Sequence, residues 1–97
     1  MATTYKNISS AATTTLLAKN TTAKGDISKI TIANHDNSDE VIIKLYLYDG
    51  TNTYVITETT IPPLVTLVLD DNLRFKNGTY DLKIDTSTTA EITVIIK

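Results

Sequence analysis

Cysteine and tryptophan are absent from this chain of 97 residues. Without a thiol there is no disulfide to staple the fold, no cysteine nucleophile and no soft-metal ligand. Glycine occurs three times and proline twice. No glycine-rich phosphate loop can be drawn from so few, and only one point, Pro62-Pro63, breaks a strand pattern outright. Histidine occurs once, as His35, and arginine once, as Arg74. A nucleic-acid footprint needs clustered basic residues, usually with aromatics among them, and none is present. No apolar run approaches the roughly 18–20 residues of a membrane-spanning helix. The opening Met1-Ala2-Thr3-Thr4-Tyr5-Lys6 lacks the apolar stretch of a signal peptide. These absences predict a chain made in a cytoplasm, with no membrane and no nucleic acid among its partners.

What is present is β-forming. Apolar residues make up 41% of the chain, a globular composition of single-domain size. Nineteen threonines, with frequent Val, Ile and Tyr, favour pleated, half-buried strands. The net charge of −2 is unevenly spread: residues 1–25 carry only Lys6, Lys19 and Lys24, and the remainder carries all eleven acids and six bases. The first stretch is also rich in Thr, Ser, Ala and Asn. The composition divides the chain into a polar N-terminal arm, 1–25, and a β-domain, 26–97. The mildly basic arm suits contact with an acidic neighbour, and a chain trimmed of residues 1–12 is expected still to fold.

Period-two alternation marks the strands. Along 41–48 (VIIKLYLY), Val41, Ile43, Leu45 and Leu47 share one face, and Ile42, Lys44, Tyr46 and Tyr48 the other. Asp49-Gly50-Thr51-Asn52 then reads as a hairpin loop, with a return strand over 53–59. A strand over 64–69 follows the proline pair, Asp70-Asp71-Asn72 turns the chain, a short strand covers 73–75, and Asn77-Gly78 turns it again. Tyr80, Leu82 and Ile84 alternate with Asp81, Lys83 and Asp85, and Ile92, Val94 and Ile96 close the chain. Upstream, Ile30 and Ile32 mark one strand, 13–18 a weaker one, and 5–8 a short one. No stretch shows helical spacing with caps. The pattern predicts an all-β, antiparallel sandwich of about eight short strands, of jelly-roll or immunoglobulin-like type, with Val41, Ile43, Leu45, Leu47, Leu82, Ile84, Ile92 and Val94 in its core.

Catalytic chemistry finds little support. Asp36 adjoins His35, but neighbours on a strand point to opposite faces, so the pair is no ready-made dyad. Asp36, Ser38 and Glu40 offer oxygens at alternate positions, and Asp70-Asp71 forms a second acidic pair. Neither has the glycine and distal glutamate of a calcium loop, so solvated turns are the simpler reading of both. No enzyme activity, cofactor or metal is expected. Five tyrosines against one phenylalanine suggest contact surfaces, because the ring buries apolar area while the hydroxyl stays wet. Tyr46, Tyr48 and Tyr54 fall on or beside one hairpin. With Tyr5, Lys6, Ile8, Leu16 and Leu17 of the arm they make up the candidate partner-binding set.

From Asp26 onward the chain resembles a class of small bacteriophage virion proteins. The resemblance rests on 28–34 (SKITIAN), 41–50 (VIIKLYLYDG), 61–69 (IPPLVTLVL) and 80–84 (YDLKI), with a Ser/Thr turn at 85–89 and a Ser/Ala/Thr-rich opening at 8–13. One departure is Pro63, where a glycine often follows the proline of the "IP" segment. The chain is similar to capsid decoration (cement) proteins, and also to neck, tail and fibre-attached modules. The resemblance implies a β-sandwich homo-oligomer, trimer or dimer, located in the virion. It would bind the major capsid protein or other virion proteins through its arm. A head–tail connector or tail component is the alternative within the virion. A carbohydrate- or host-binding module using exposed tyrosines and the Asp70-Asp71-Asn72 loop is a further one.

Overall fold

A computed structural model describes residues 3–20, 26–70 and 72–97. The strands in chain order are β1 (Thr4–Ile8), β2 (Thr13–Leu17), β3 (Asp26–Ile27), β4 (Ile30–Asn34), β5 (Val41–Tyr48), β6 (Thr53–Ile61), β7 (Thr66–Leu69), β8 (Leu73–Arg74), β9 (Asp81–Thr86) and β10 (Ile92–Ile96). Lys24 and Gly25 of the expected arm, and Asp71 of the acidic pair, lie outside the described residues.

Two four-stranded sheets face each other. The first has the order β1-β10-β4-β7, the second β2-β9-β5-β6, and β3 and β8 form a small separate ribbon. Every pairing is antiparallel. Among successive sandwich strands only the β5–β6 hairpin stays within one sheet; every other connection crosses to the opposite sheet. That winding is the jelly roll, one of the two sandwich types expected.

Alternation along the strands builds the core. Ile30 and Ile32 of β4 and Ile92, Val94 and Ile96 of β10 meet Val41, Ile43 and Leu45 of β5 and Leu82 and Ile84 of β9, all essentially without solvent contact. Leu47, expected in the core, is half-buried at its margin. Residues 4–17, read from composition as part of a polar arm, are woven into both sheets. β1 pairs in register with β10, from Thr4 against Ile96 to Ile8 against Ile92, and β2 pairs with β9. Between Thr15 and Leu17 the register slips, so that Leu16 and Leu17, neighbours in sequence, are both buried. Removing residues 1–12 would strip the edge strand β1 from the flank of β10.

Three buried polar side chains tie the loops to this core. Asn34 donates through Nδ2 to the carbonyls of Asp39 (2.9 Å) and Ile61 (3.0 Å), and its Oδ1 accepts from the Asp36 amide at 3.1 Å. Thr86 donates its hydroxyl to the Ser10 carbonyl at 2.7 Å, and Asn77 reaches the Ala18 carbonyl at 3.1 Å. Each joins segments remote in sequence and leaves no stranded polar atom, which would be costly in so small a core. The strand expected to begin at Leu64 begins at Thr66. The Val65 amide bonds back to the Pro62 carbonyl at 3.3 Å and Leu64 takes a positive φ of 63°, so 62–65 is a turn.

Candidate functional site

The outer faces of the two sheets differ in kind. On the second sheet, register aligns Thr13, Asp85, Lys44 and Glu58 in one row and Thr15, Lys83, Tyr46 and Val55 in the next. These side chains bind one another. Asp85 Oδ1 accepts from Thr13 Oγ1 at 2.7 Å and from the Tyr46 hydroxyl at 2.9 Å, and Lys44 Nζ stands 3.9 Å from Asp85 Oδ2. Lys44 lies 5.6 Å from the centre of the Tyr46 ring and Lys83 lies 4.9 Å from that of Tyr48. Tyr46 is left only 7% exposed. Burial first, then the hydrogen bond and charge of Asp85, raise its phenol above the ordinary tyrosine value.

On the first sheet the corresponding rows are Tyr5, Ile95, Thr31 and Val68, and Asn7, Thr93, Ala33 and Thr66. Neither row contains a charge. Tyr5 is 69% exposed and Val68 45%. By the same alternation Lys29 and Lys97 continue this face at one end, and His35 and Glu91 at the other.

The candidate partner-binding residues separate accordingly. Ile8, Leu16 and Leu17 are buried in the chain's own core and present nothing to a partner, because β1 and β2 are sandwich strands. Tyr5 and Lys6 are exposed on β1, Tyr5 on the uncharged face. Tyr46 and Tyr48 lie on the charged face, where Asp85 and Lys83 engage them. Tyr54 does not join them. The β5–β6 register skips Ile56, pairing Leu45 with Thr57 but Tyr46 with Val55, and this bulge turns Tyr54 to the Leu47 side. There it meets Tyr80 edge-on, 5.8 Å between ring centres.

His35 has company that its sequence neighbours do not suggest. Its Nε2 is 3.1 Å from Thr93 Oγ1 and its Nδ1 is 3.6 Å from Glu91 Oε2. The order hydroxyl–imidazole–carboxylate superficially matches a nucleophile with its base. The Thr93 hydroxyl, however, donates to Asn7 Oδ1 at 2.8 Å. Its proton is directed away from the imidazole, so His35 does not activate it in this arrangement. Asp36 Oδ1 accepts from the Ser38 and Asp39 amides at 2.9 and 3.0 Å, which lowers its pKa. That oxygen serves the loop's own turn. Among the described residues no three His, Asp or Glu side chains are grouped to hold a metal ion. An apolar groove of about 360 Å³ opens beside the β3–β8 ribbon, lined mainly by Ile27, Ile30, Ile56, Leu69 and Leu73.

No protein-family model matches the chain, and no curated protein matches it in sequence. Solved structures do share its fold. It is similar over 98% of its length to a pentameric capsid protein isolated from metagenomic phage sequences, with TM-score 0.58 and 15% identity. The chain spans 59% of that protein's length. It is similar over 97% of its length to PirA, covering 90% of that chain, with TM-score 0.60 and 10% identity. The IBDV viral particle yields another match, with TM-score 0.56 and 14% identity over 98% of this chain and 30% of that one. At such identities what is shared is the jelly-roll fold.

Proposed function

We propose that this chain is a structural protein of a phage particle, a decoration protein that seats on the major capsid protein and stabilises the shell. The observation that supports this reading is the jelly-roll winding, which runs through nearly the whole chain and is also that of a phage capsid protein and a viral particle protein. The surface agrees with a role in binding. Asp36 and Asp49 are engaged in turns and Asp85, Lys44 and Lys83 in cross-strand contacts, and the two middle rows of the other sheet face hold no charge. Tyr5 and Lys6, on the exposed edge strand β1, contribute to the contacts.

The mechanism is additive. Each copy buries a modest interface on the shell and binds the assembled state in preference to its separated parts, which stabilises assembly by mass action. Many copies on one lattice add their contributions, and copies held close to one another also make contacts too weak to persist in dilute solution.

The test is the copy number in purified particles, by quantitative mass spectrometry against the major capsid protein. A decoration protein gives on the order of hundreds of copies, whereas a neck or tail ring gives about six or twelve. Absence from the particle overturns the proposal.

A further inference from the structure

We infer that the uncharged outer face of the β1-β10-β4-β7 sheet is a self-association surface, and that its occupant is the same face of a second copy of this chain. The inference names the surface for the contacts between neighbouring copies in the reading above, and to that extent it rests on that reading.

Three observations carry it. The middle of the face, the two rows through Thr31 and Ala33, holds Tyr, Ile, Thr, Val, Asn and Ala and no ionisable group other than the Tyr5 phenol. Such a surface can meet its own copy without like-charge repulsion, as a two-fold contact requires, since the same patch faces itself. A copy docked on the other sheet face would disrupt the contacts that Asp85, Lys44 and Lys83 already make there.

The ends of the uncharged face are complementary to each other. Lys29 and Lys97 flank one end, where Asp70 follows β7. Glu91 and Asp36 flank the other end beside His35, leaving it negative. A two-fold axis lying in the face and running across the strands reverses strand direction between the copies. It places the lysine end of each copy over the carboxylate end of the other, and packs Tyr5, Ile95 and Val68 against the threonine–alanine row.

The size of the face sets the strength. Four strands about 4.8 Å apart and five residues of about 3.3 Å rise cover roughly 300 Å². A stable dimer buries about 800 Å² per partner. The pair is therefore weak in free solution, populated in the high micromolar range, and suited to copies already held near one another.

Sedimentation equilibrium of the full chain from low micromolar to millimolar concentration tests this without any particle, so its outcome is independent of whether the chain belongs to a virion. The native chain should show a reversible monomer–dimer equilibrium. Thr31→Lys, which sets two lysines near each other at the centre of the contact, should weaken it by about tenfold or more. Ile42→Lys, at a 48% exposed position on the opposite face, should leave it unchanged. Mixing the Thr31→Lys and Thr31→Glu chains should restore pairing, which a fold defect in either variant would not do; circular dichroism melts check that both are folded. A native chain that stays monomeric to millimolar concentration, or a Thr31→Lys chain that pairs as well as the native one, overturns the inference.

Discussion

The two sheets enclose one core yet present opposite surfaces, and the difference lies in what their outward residues already bind. On β2-β9-β5-β6 every second position from Lys44 to Tyr48 on β5 and from Asp81 to Asp85 on β9 is charged or aromatic, and the strands bring them into mutual reach, so Asp85 gathers Thr13, Tyr46 and Lys44. On β1-β10-β4-β7 the same positions hold Tyr5, Ile95, Thr31 and Val68, which bring no charge to one another. Outward apolar and aromatic residues are thus poor guides to a binding face until their partners are known. Tyr46 looks exposed from its alternation and is nearly buried; Tyr5 lies in a polar stretch and is open.

If both faces stand on one core, damage to that core should undo both together. Leu45→Ala should cost about 2–4 kcal/mol in chemical denaturation, a large share of the stability of a domain this small. Asn34→Ala should follow, at about 1–3 kcal/mol, since it removes the side-chain donor of the buried bond to the Ile61 carbonyl and of the half-buried bond to the Asp39 carbonyl. The faces should then part company. Asp85→Ala strips the acceptor from the Tyr46 and Thr13 hydroxyls and should cost about 1–2 kcal/mol, whereas Thr31→Lys should change stability by less than about 0.5 kcal/mol while weakening association. Equal stability losses at the two positions would erase the contrast.

A smaller effect is confined to the charged face. The raised pKa of Tyr46 means the folded state holds the phenol proton more tightly than the unfolded chain does. The stability it contributes is complete below the ordinary tyrosine value of about 10 and falls as pH rises through the raised folded value. Denaturation midpoints followed from pH 8 to 11 should therefore drop more steeply for the native chain than for Tyr46→Phe.

Much of the fold is readable from period-two alternation, because a strand with one buried face must repeat every second residue: β5, β9 and β10 follow it. The jelly-roll winding is not, since it depends on which strands pair across long separations. Nor are the bulges at Leu16 and Ile56, each a one-residue slip that leaves composition unchanged yet decides which face a side chain reaches. The polar composition of residues 4–17 reflects edge strands, with one side open to solvent, and reads as an arm for that reason. Asn34 and Thr86 look like ordinary loop and strand polar residues; only the placement of distant carbonyls makes them ties. The uncharged face was equally hidden, because its members come from β1, β4, β7 and β10 and meet only through register.

Tyrosine labelling compares the two faces most directly. The full chain is exposed briefly to hydroxyl radicals at low micromolar and at millimolar concentration, and modification of Tyr5 and Tyr48 is read by peptide mass spectrometry. The account predicts that Tyr5 becomes protected at high concentration while Tyr48 reacts equally in both samples. Protection of Tyr48 with Tyr5 unchanged would place the contact on the charged face and contradict it.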